Sequence, residues 1–266
     1  MWVWKTKADV PKGTIVMVHG AGEHHGRYEW LADQWLSEGF NVVIGDLPGQ
    51  GENPRHQGHV DRFDEYIECV QKWANTAKAF KEPILLFGHS LGGLVIIRLL
   101  EETNIRPRAV LLSSPCLGLM IPPPEWIKKA VRPLNNVLPR LRIPIKRSAD
   151  NHLATHNEEI LKKDADDSLI VKKVSLRWYY ELDQAMALAF ERQSRFPDVP
   201  LFIFQAGDDK IVDRRAVYRW FDSLPIHRKH YKEWPLLYHE VFNEPEREKV
   251  FQYALKCIHP LFGSHK

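Results

Sequence analysis

The sequence predicts an α/β protein: a mostly parallel central sheet with helices on both faces, interrupted by a helical insertion. Three observations carry this. Short, continuously apolar runs alternate with longer segments of helical spacing, as they do when parallel strands are buried on both faces. The alternation stops between 116 and 196 and then resumes. One apolar run breaks at a serine flanked by glycines and continues at once as an apolar helix, in "LLFGHSLGGLVIIRLL" at 85–100.

The elements follow in order. "TIVMVHG" (14–20) is a buried strand ending in a turn, and 28–39 has helical spacing with a glycine stop. "NVVIGD" (41–46) is a second strand. Residues 63–80 form an amphipathic helix with Phe63, Tyr66, Ile67, Val70, Trp73 and Ala74 on one face. A third strand (83–88), a helix (91–102) and a fourth strand (108–114) come next. After the insertion the rhythm continues with a strand (199–205), a helix (214–224), a strand (228–234) and a helix (245–259). Residues 1–115 and 197–266 are therefore expected to form the core domain. Residues 116–196 are expected to form a largely helical cap, whose first helix starts near Pro124 because the Pro122–Pro124 run cannot lie inside one.

The bulk numbers exclude several classes. The 266 residues are 44% hydrophobic and 27% charged, ample for one large domain with an insertion. A formal net charge of +3 is too small to indicate nucleic acid. Cys69, Cys116 and Cys257 lie far apart without a CxxC, which fits a reducing compartment rather than a disulfide framework. The N-terminal stretch lacks the pattern of a signal peptide, and no segment approaches the roughly 20 apolar residues of a membrane span. A cytoplasmic location is expected.

The serine turn is the chemical clue. In a parallel sheet, ligands sit beyond the carboxyl ends of the strands. A Gly-x-Ser-x-Gly between a strand and a helix makes a turn so sharp that positions two residues either side of the serine must be very small. Gly88 and Gly92 meet that demand and Ser90 sits at the apex. A serine nucleophile needs a base, an orienting acid and a pocket for oxyanion charge. His239 is the histidine in the loop between the last strand and the last helix. His230 falls inside a strand, His227 before it, and His259 and His265 at the end of the chain. The acid is sought in "AGDDKIVD", which offers Asp208, Asp209 and Asp213. Asp213 is explained as a helix N-cap, and the Gly-x-Asp-x-x-Val spacing favours Asp209 over Asp208. The oxyanion amides are expected from Leu91, at the start of a helix, and from Ala21 in the loop "HGAGEHHGRY". His24, His25, His56 and His59 show no metal-ligand spacing, and neither metal nor organic cofactor is expected.

Together, "HGAGEHHGRY", "DLPGQGENPRHQGHVDRFDEY", "GHSLGG", "AGDDKIVD" and "YHEVFNEPE" resemble the monoacylglycerol lipase and lysophospholipase branch of the α/β-hydrolase superfamily. The resemblance runs from about 14 to 260 and is weakest across 116–196. It implies Ser90 as nucleophile, Asp209 as acid, His239 as base, Ala21 and Leu91 as oxyanion donors, and a helical cap. One loop departs from the family's Gly-His-Gly-x-Ser: here it reads "PGQGEN", which puts substrate choice in doubt because that loop is expected to shape the entrance.

The expected reaction is cleavage of the carboxylic ester of a monoacylglycerol or lysophospholipid through an acyl-enzyme. Two alternatives remain open. A proline iminopeptidase-like peptidase would need acidic cap residues for a free amino group, for which Glu158, Glu159 and Glu181 are available. A silent binding protein would not need a triad. The cap mixes apolar residues and Trp126 with Lys128, Lys129, Arg132, Arg140, Arg142, Lys146 and Arg147. It reads either as a solvated cover whose apolar side faces the pocket or as a peripheral contact for anionic membrane.

Overall fold

Residues 1–145 and 153–262 are described by the structure, a computed structural model. Lys146, Arg147 and His265 lie outside the described residues. Along the chain run β1 (Trp2–Trp4), β2 (Gly13–Val18), α1 (Glu29–Ser37), β3 (Phe40–Ile44), α2 (Asp64–Lys78), β4 (Ile84–His89), α3 (Leu91–Glu102) and β5 (Ala109–Ser113). The segment between β5 and the next sheet strand carries α4 (Glu125–Val137), β6 (Arg142–Pro144), α5 (Glu158–Asp166), β7 (Lys173–Ser175) and α6 (Leu176–Glu191). The chain then returns to the sheet with β8 (Leu201–Ala206), α7 (Arg214–Ser223), β9 (Lys229–Trp234) and α8 (Arg247–Ile258).

The main sheet has seven strands in the order β1-β3-β2-β4-β5-β8-β9. All its pairings are parallel except β1 with β3, where Trp2 faces Ile44 and Trp4 faces Val42. Sequence reasoning did not find β1, because three residues are too few to show an alternation. The apolar runs are continuous because successive side chains enter two different cores. Val16 and Val18 of β2 pack with α2, α3 and α7 residues such as Val70, Leu94 and Trp220 on one face. Ile15 and Met17 pack with Trp35 of α1 and Phe251 of α8 on the other.

The insertion carries helices as expected, α4, α5 and α6, and adds an element that was not expected. Its β6 and β7 form an antiparallel ribbon, with Ile143 opposite Val174. Strands of three residues, "RIP" and "KVS", have no pattern that a sequence could announce. The first helix does start where the prolines require, with Pro124 at its N-cap. The ribbon and α6 dock on the stretch 58–66. Ser175 N donates to Gly58 O at 2.8 Å, His59 Nδ1 is hydrogen-bonded to Ser175 Oγ at 2.7 Å, and Trp178 Nε1 donates to Tyr66 Oη at 2.7 Å. The glycine, histidine and tyrosine of "QGHVDRFDEY" thus hold the insertion over the sheet.

Candidate active site

Ser90 closes the turn between β4 and α3 with φ +51° and ψ −116°, a region that non-glycine residues seldom occupy. The flanking glycines are steric necessities. A Cβ on Gly88 would lie 2.6 Å from Gly92 O, and one on Gly92 would strike the carbonyl oxygens of Val18 and His19. Ser90 N donates to Ser113 O at 2.9 Å, which ties the strained turn to the end of β5. Leu91 is the first residue of α3, and amides in a first helical turn have no carbonyl within the helix to bind. The helix macrodipole adds positive potential at the same place.

The loop after β2 is held from several sides. Gly22 has φ +76°, and its amide donates to Gln50 Oε1 at 2.6 Å. Glu23 Oε2 accepts from Gly20 N at 3.1 Å and from Tyr28 Oη at 2.6 Å. Asp46 accepts from His25 N at 2.7 Å, and its carboxyl stands below the usual range. Burial pushes that carboxyl up, and His19 together with amide hydrogen bonds more than offsets it. His24 Nε2 lies 2.6 Å from Asp167 Oδ2, so His24 fixes this loop against the inserted segment. The "PGQGEN" loop therefore has a different part from the one expected. None of residues 48–53 lines the cavity shared by Ser90 and His239, and Gln50 instead braces the loop after β2.

His239 follows β9 and is buried, with its Nδ1 2.8 Å from Asp209 Oδ2. Asp209 Oδ1 accepts from Val212 N at 2.8 Å and Ile211 N at 2.9 Å. Burial pushes the Asp209 pKa up, but the neighbouring His239 and these amides outweigh it and leave it below the ordinary value. Burial lowers the His239 pKa, and the Asp209 charge overcomes this and raises it. Asp208 points away and pairs with Lys210, while Asp213 accepts from Arg215 N at 2.9 Å as the N-cap of α7. Ala21, Ser90, Leu91 and His239 all line one cavity of about 300 Å³, with Asp209 behind the histidine. The remaining wall is largely apolar and includes Leu119, Ile143, Val174, Trp178 and Leu182.

One cluster was not found from sequence. Arg27, Glu23, Glu240 and Asp164 meet in the interior. Glu23, His89 and Glu240 offer ligand atoms within 4.8 Å of one another. The Arg27 guanidinium contacts both glutamates and supplies there the positive charge a cation would. Charged residues scattered over more than 200 positions carry no periodic signal. Only the places of Glu240 directly after His239, and of Glu23 two residues after Ala21, are signals for them in the sequence.

The order serine, aspartate, histidine, each just past the end of a strand of one parallel sheet, makes this an α/β-hydrolase. The chain belongs to the hydrolase family described as serine aminopeptidase, S33, whose model matches residues 9–246. It is 48% identical over 255 residues to phospholipase YtpA of Bacillus subtilis, covering 96% of this chain and 97% of the relative. It is 28% identical to a monoglyceride lipase of Rattus norvegicus, over 91% of this chain and 79% of the relative. Among solved structures, the monoacylglycerol lipase of Paleococcus ferrophilus superposes with a TM-score of 0.85 at 27% identity, covering 98% of this chain and 100% of that one. The resemblance read from the motifs is thus borne out at the level of the branch.

Proposed function

We propose that this protein is a serine hydrolase that cleaves the carboxylic ester of a monoacylated lipid, a monoacylglycerol or a lysophospholipid. The observation that carries the reading is an apolar cavity of about 300 Å³ that both Ser90 and His239 line, with Asp209 against the histidine. Ser90 Oγ attacks the ester carbonyl as His239 takes its proton. Asp209 fixes the imidazole tautomer and stabilises the imidazolium. The amides of Ala21 and Leu91 receive the oxyanion; one such donor is typically worth about 10²–10³ in rate. The proton passes from His239 to the departing alcohol, and water then releases the acid by the same steps. In this reading residues 1–115 and 197–266 are the catalytic domain and 116–196 its cap, and the chemistry calls on no metal or organic cofactor.

The cap favours a lipid over a peptide. Glu158 and Glu159 stand at the exposed start of α5, and Glu181 accepts from Phe63 N at 3.0 Å. None of the three lines the cavity. Glu23 does, but its carboxylate is engaged by Gly20, Tyr28 and Arg27. The cap also supports a peripheral contact with anionic lipid from the cytoplasmic side. Met120, Ile121, Trp126, Val137, Leu138 and Leu141 are exposed, in the same stretch of chain as exposed Lys129, Arg132, Arg140 and Arg142. No described helix is long and apolar enough to cross a membrane.

The test is a panel of monoacylglycerols, lysophospholipids, short nitrophenyl esters and aminoacyl anilides, run with the wild type and Ser90→Ala. Ester hydrolysis should dominate and fall at least about 10³-fold in the variant. Undiminished turnover by Ser90→Ala, or a preference for the anilides, would sink the assignment.

A further inference from the structure

We propose that Arg27 is a positioning residue: its guanidinium locks the oxyanion loop, the histidine loop and the cap into one register and balances the carboxylates that face His239. The inference rests on the reading of His239 as the base and goes beyond it, since Arg27 does not line the cavity.

The geometry is that of a hub. The Arg27 side chain is only 5% exposed and forks onto Asp164 of α5, with Nε to Oδ1 and Nη2 to Oδ2 both at 2.7 Å. Nη2 also donates to Glu240 Oε2 at 2.9 Å, and Nη1 lies 3.3 Å from Glu23 Oε1. Each partner sits on a different working part. Glu23 is two residues from Ala21 and accepts from Gly20 N, so it sets the course of the oxyanion loop. Glu240 follows His239 directly, and its amide donates to Ala154 O of the inserted segment at 2.9 Å. Asp164 anchors the end of α5, and three residues on Asp167 repeats the tie to the loop through His24. The backbone adds a third tie, Val171 N to Gly22 O at 3.1 Å. A planar fork with five donors can satisfy three carboxylates at once; an ammonium cannot hold the same geometry.

The electrostatic consequence has a definite sign. The charged groups around His239 are Asp209, 2.8 Å from its Nδ1, Glu240 next to it in the chain and Glu23 on the wall of the same cavity, with the His89 ring centred 4.7 Å away. Glu240 and Glu23 each favour the imidazolium. Arg27, in contact with both, opposes them. Removing the guanidinium exposes His239 to more negative potential and makes it more basic. Removing the Glu240 charge does the reverse.

The experiment compares wild type with Arg27→Gln, Glu240→Gln and Arg27→Lys. It reads the acidic limb of kcat/KM against pH, and the His239 ring titration by NMR in each protein on a Ser90→Ala background. Arg27→Gln should move both to higher pH by about 0.5 unit or more and lower kcat about 10–100-fold. Glu240→Gln should move both to lower pH. Arg27→Lys keeps the charge and loses the fork: the limb should stay, while KM for a long-chain ester rises several-fold. Losses of activity with the limb and the ring titration unmoved in both Gln variants would overturn the inference. So would a lysine variant indistinguishable from wild type. Glu240→Gln, with the guanidinium intact, keeps the test alive where Arg27→Gln does not fold. The NMR titration needs no turnover, so failure of Ser90-dependent hydrolysis counts against the proposed function alone.

Discussion

At the scale of single residues, Asp209 and His239 set an opposition between stability and activity. Asp209 has its pKa depressed by folding, so its contribution to stability is present above its unfolded value and is lost as pH falls through the lower folded one. His239 has its pKa raised, so its contribution is present below its unfolded value and lost as pH rises through the higher folded one. The pair stabilises the fold most between those limits, where the histidine is still charged. The proposed base must be neutral to act, so activity appears as that stabilisation fades. Replacing Asp209 by Asn removes the charge that raises His239. The acidic limb of kcat/KM should then shift to lower pH, and kcat should drop by about 10³–10⁴ from loss of the correct tautomer. A pH–rate series on the variant checks both. An unchanged limb would show that Asp209 does not face the base in solution.

At the scale of elements, the site depends on turns and caps more than on the strands themselves. Ser175 illustrates this. It ends β7, and its Oγ accepts from Trp178 N at 3.0 Å as the N-cap of α6. It is also the partner of His59, on which the insertion docks. Ser175→Ala should cost about 1 kcal/mol from the lost cap, with an added loss from the stranded His59. Urea unfolding would measure it, and a midpoint equal to wild type would mean the ribbon is not coupled to the sheet. The elements placed from the sequence were those with long patterns: α1, α2, α3, α7 and α8, and the six strands that pair in parallel. The β6–β7 ribbon escaped because its pairing is decided by docking on Gly58 and Gly22, not by its own composition.

At the scale of the whole molecule, α4 and the loops on either side of it form a separate surface. Among the described residues none of α4 lines the cavity of the proposed catalytic site; Ile121 and Pro123 before it and Ile143 to Ile145 after it do. The helix instead faces α6 across a second cavity lined by Ile127, Val131 and Leu176, and it leaves Trp126 and Val137 exposed. This modifies the expectation that the apolar residues of the basic stretch face the pocket. Co-sedimentation should show more binding to anionic than to neutral vesicles, weakening with salt, since each basic side chain near such a surface is worth about 1 kcal/mol. Trp126→Glu should reduce that binding while sparing hydrolysis of a short nitrophenyl ester. Equal binding to both vesicle types would remove membrane contact from the account.

What the sequence determined alone is what local sterics and periodicity dictate. Gly88 and Gly92 around Ser90 permit one kind of turn, the continuous apolar runs permit one kind of sheet, and the order of loops places Asp209 and His239 at the same edge as Ser90. The tertiary structure decided the rest. It turned the Asp209 carboxylate onto His239 and left Asp208 to Lys210, gave Gln50 and Glu23 their hold on the loop after β2, and gathered Arg27, Asp164 and Glu240 around one point. Those choices depend on packing between segments distant in the chain, and a linear pattern carries no record of which buried charges will meet.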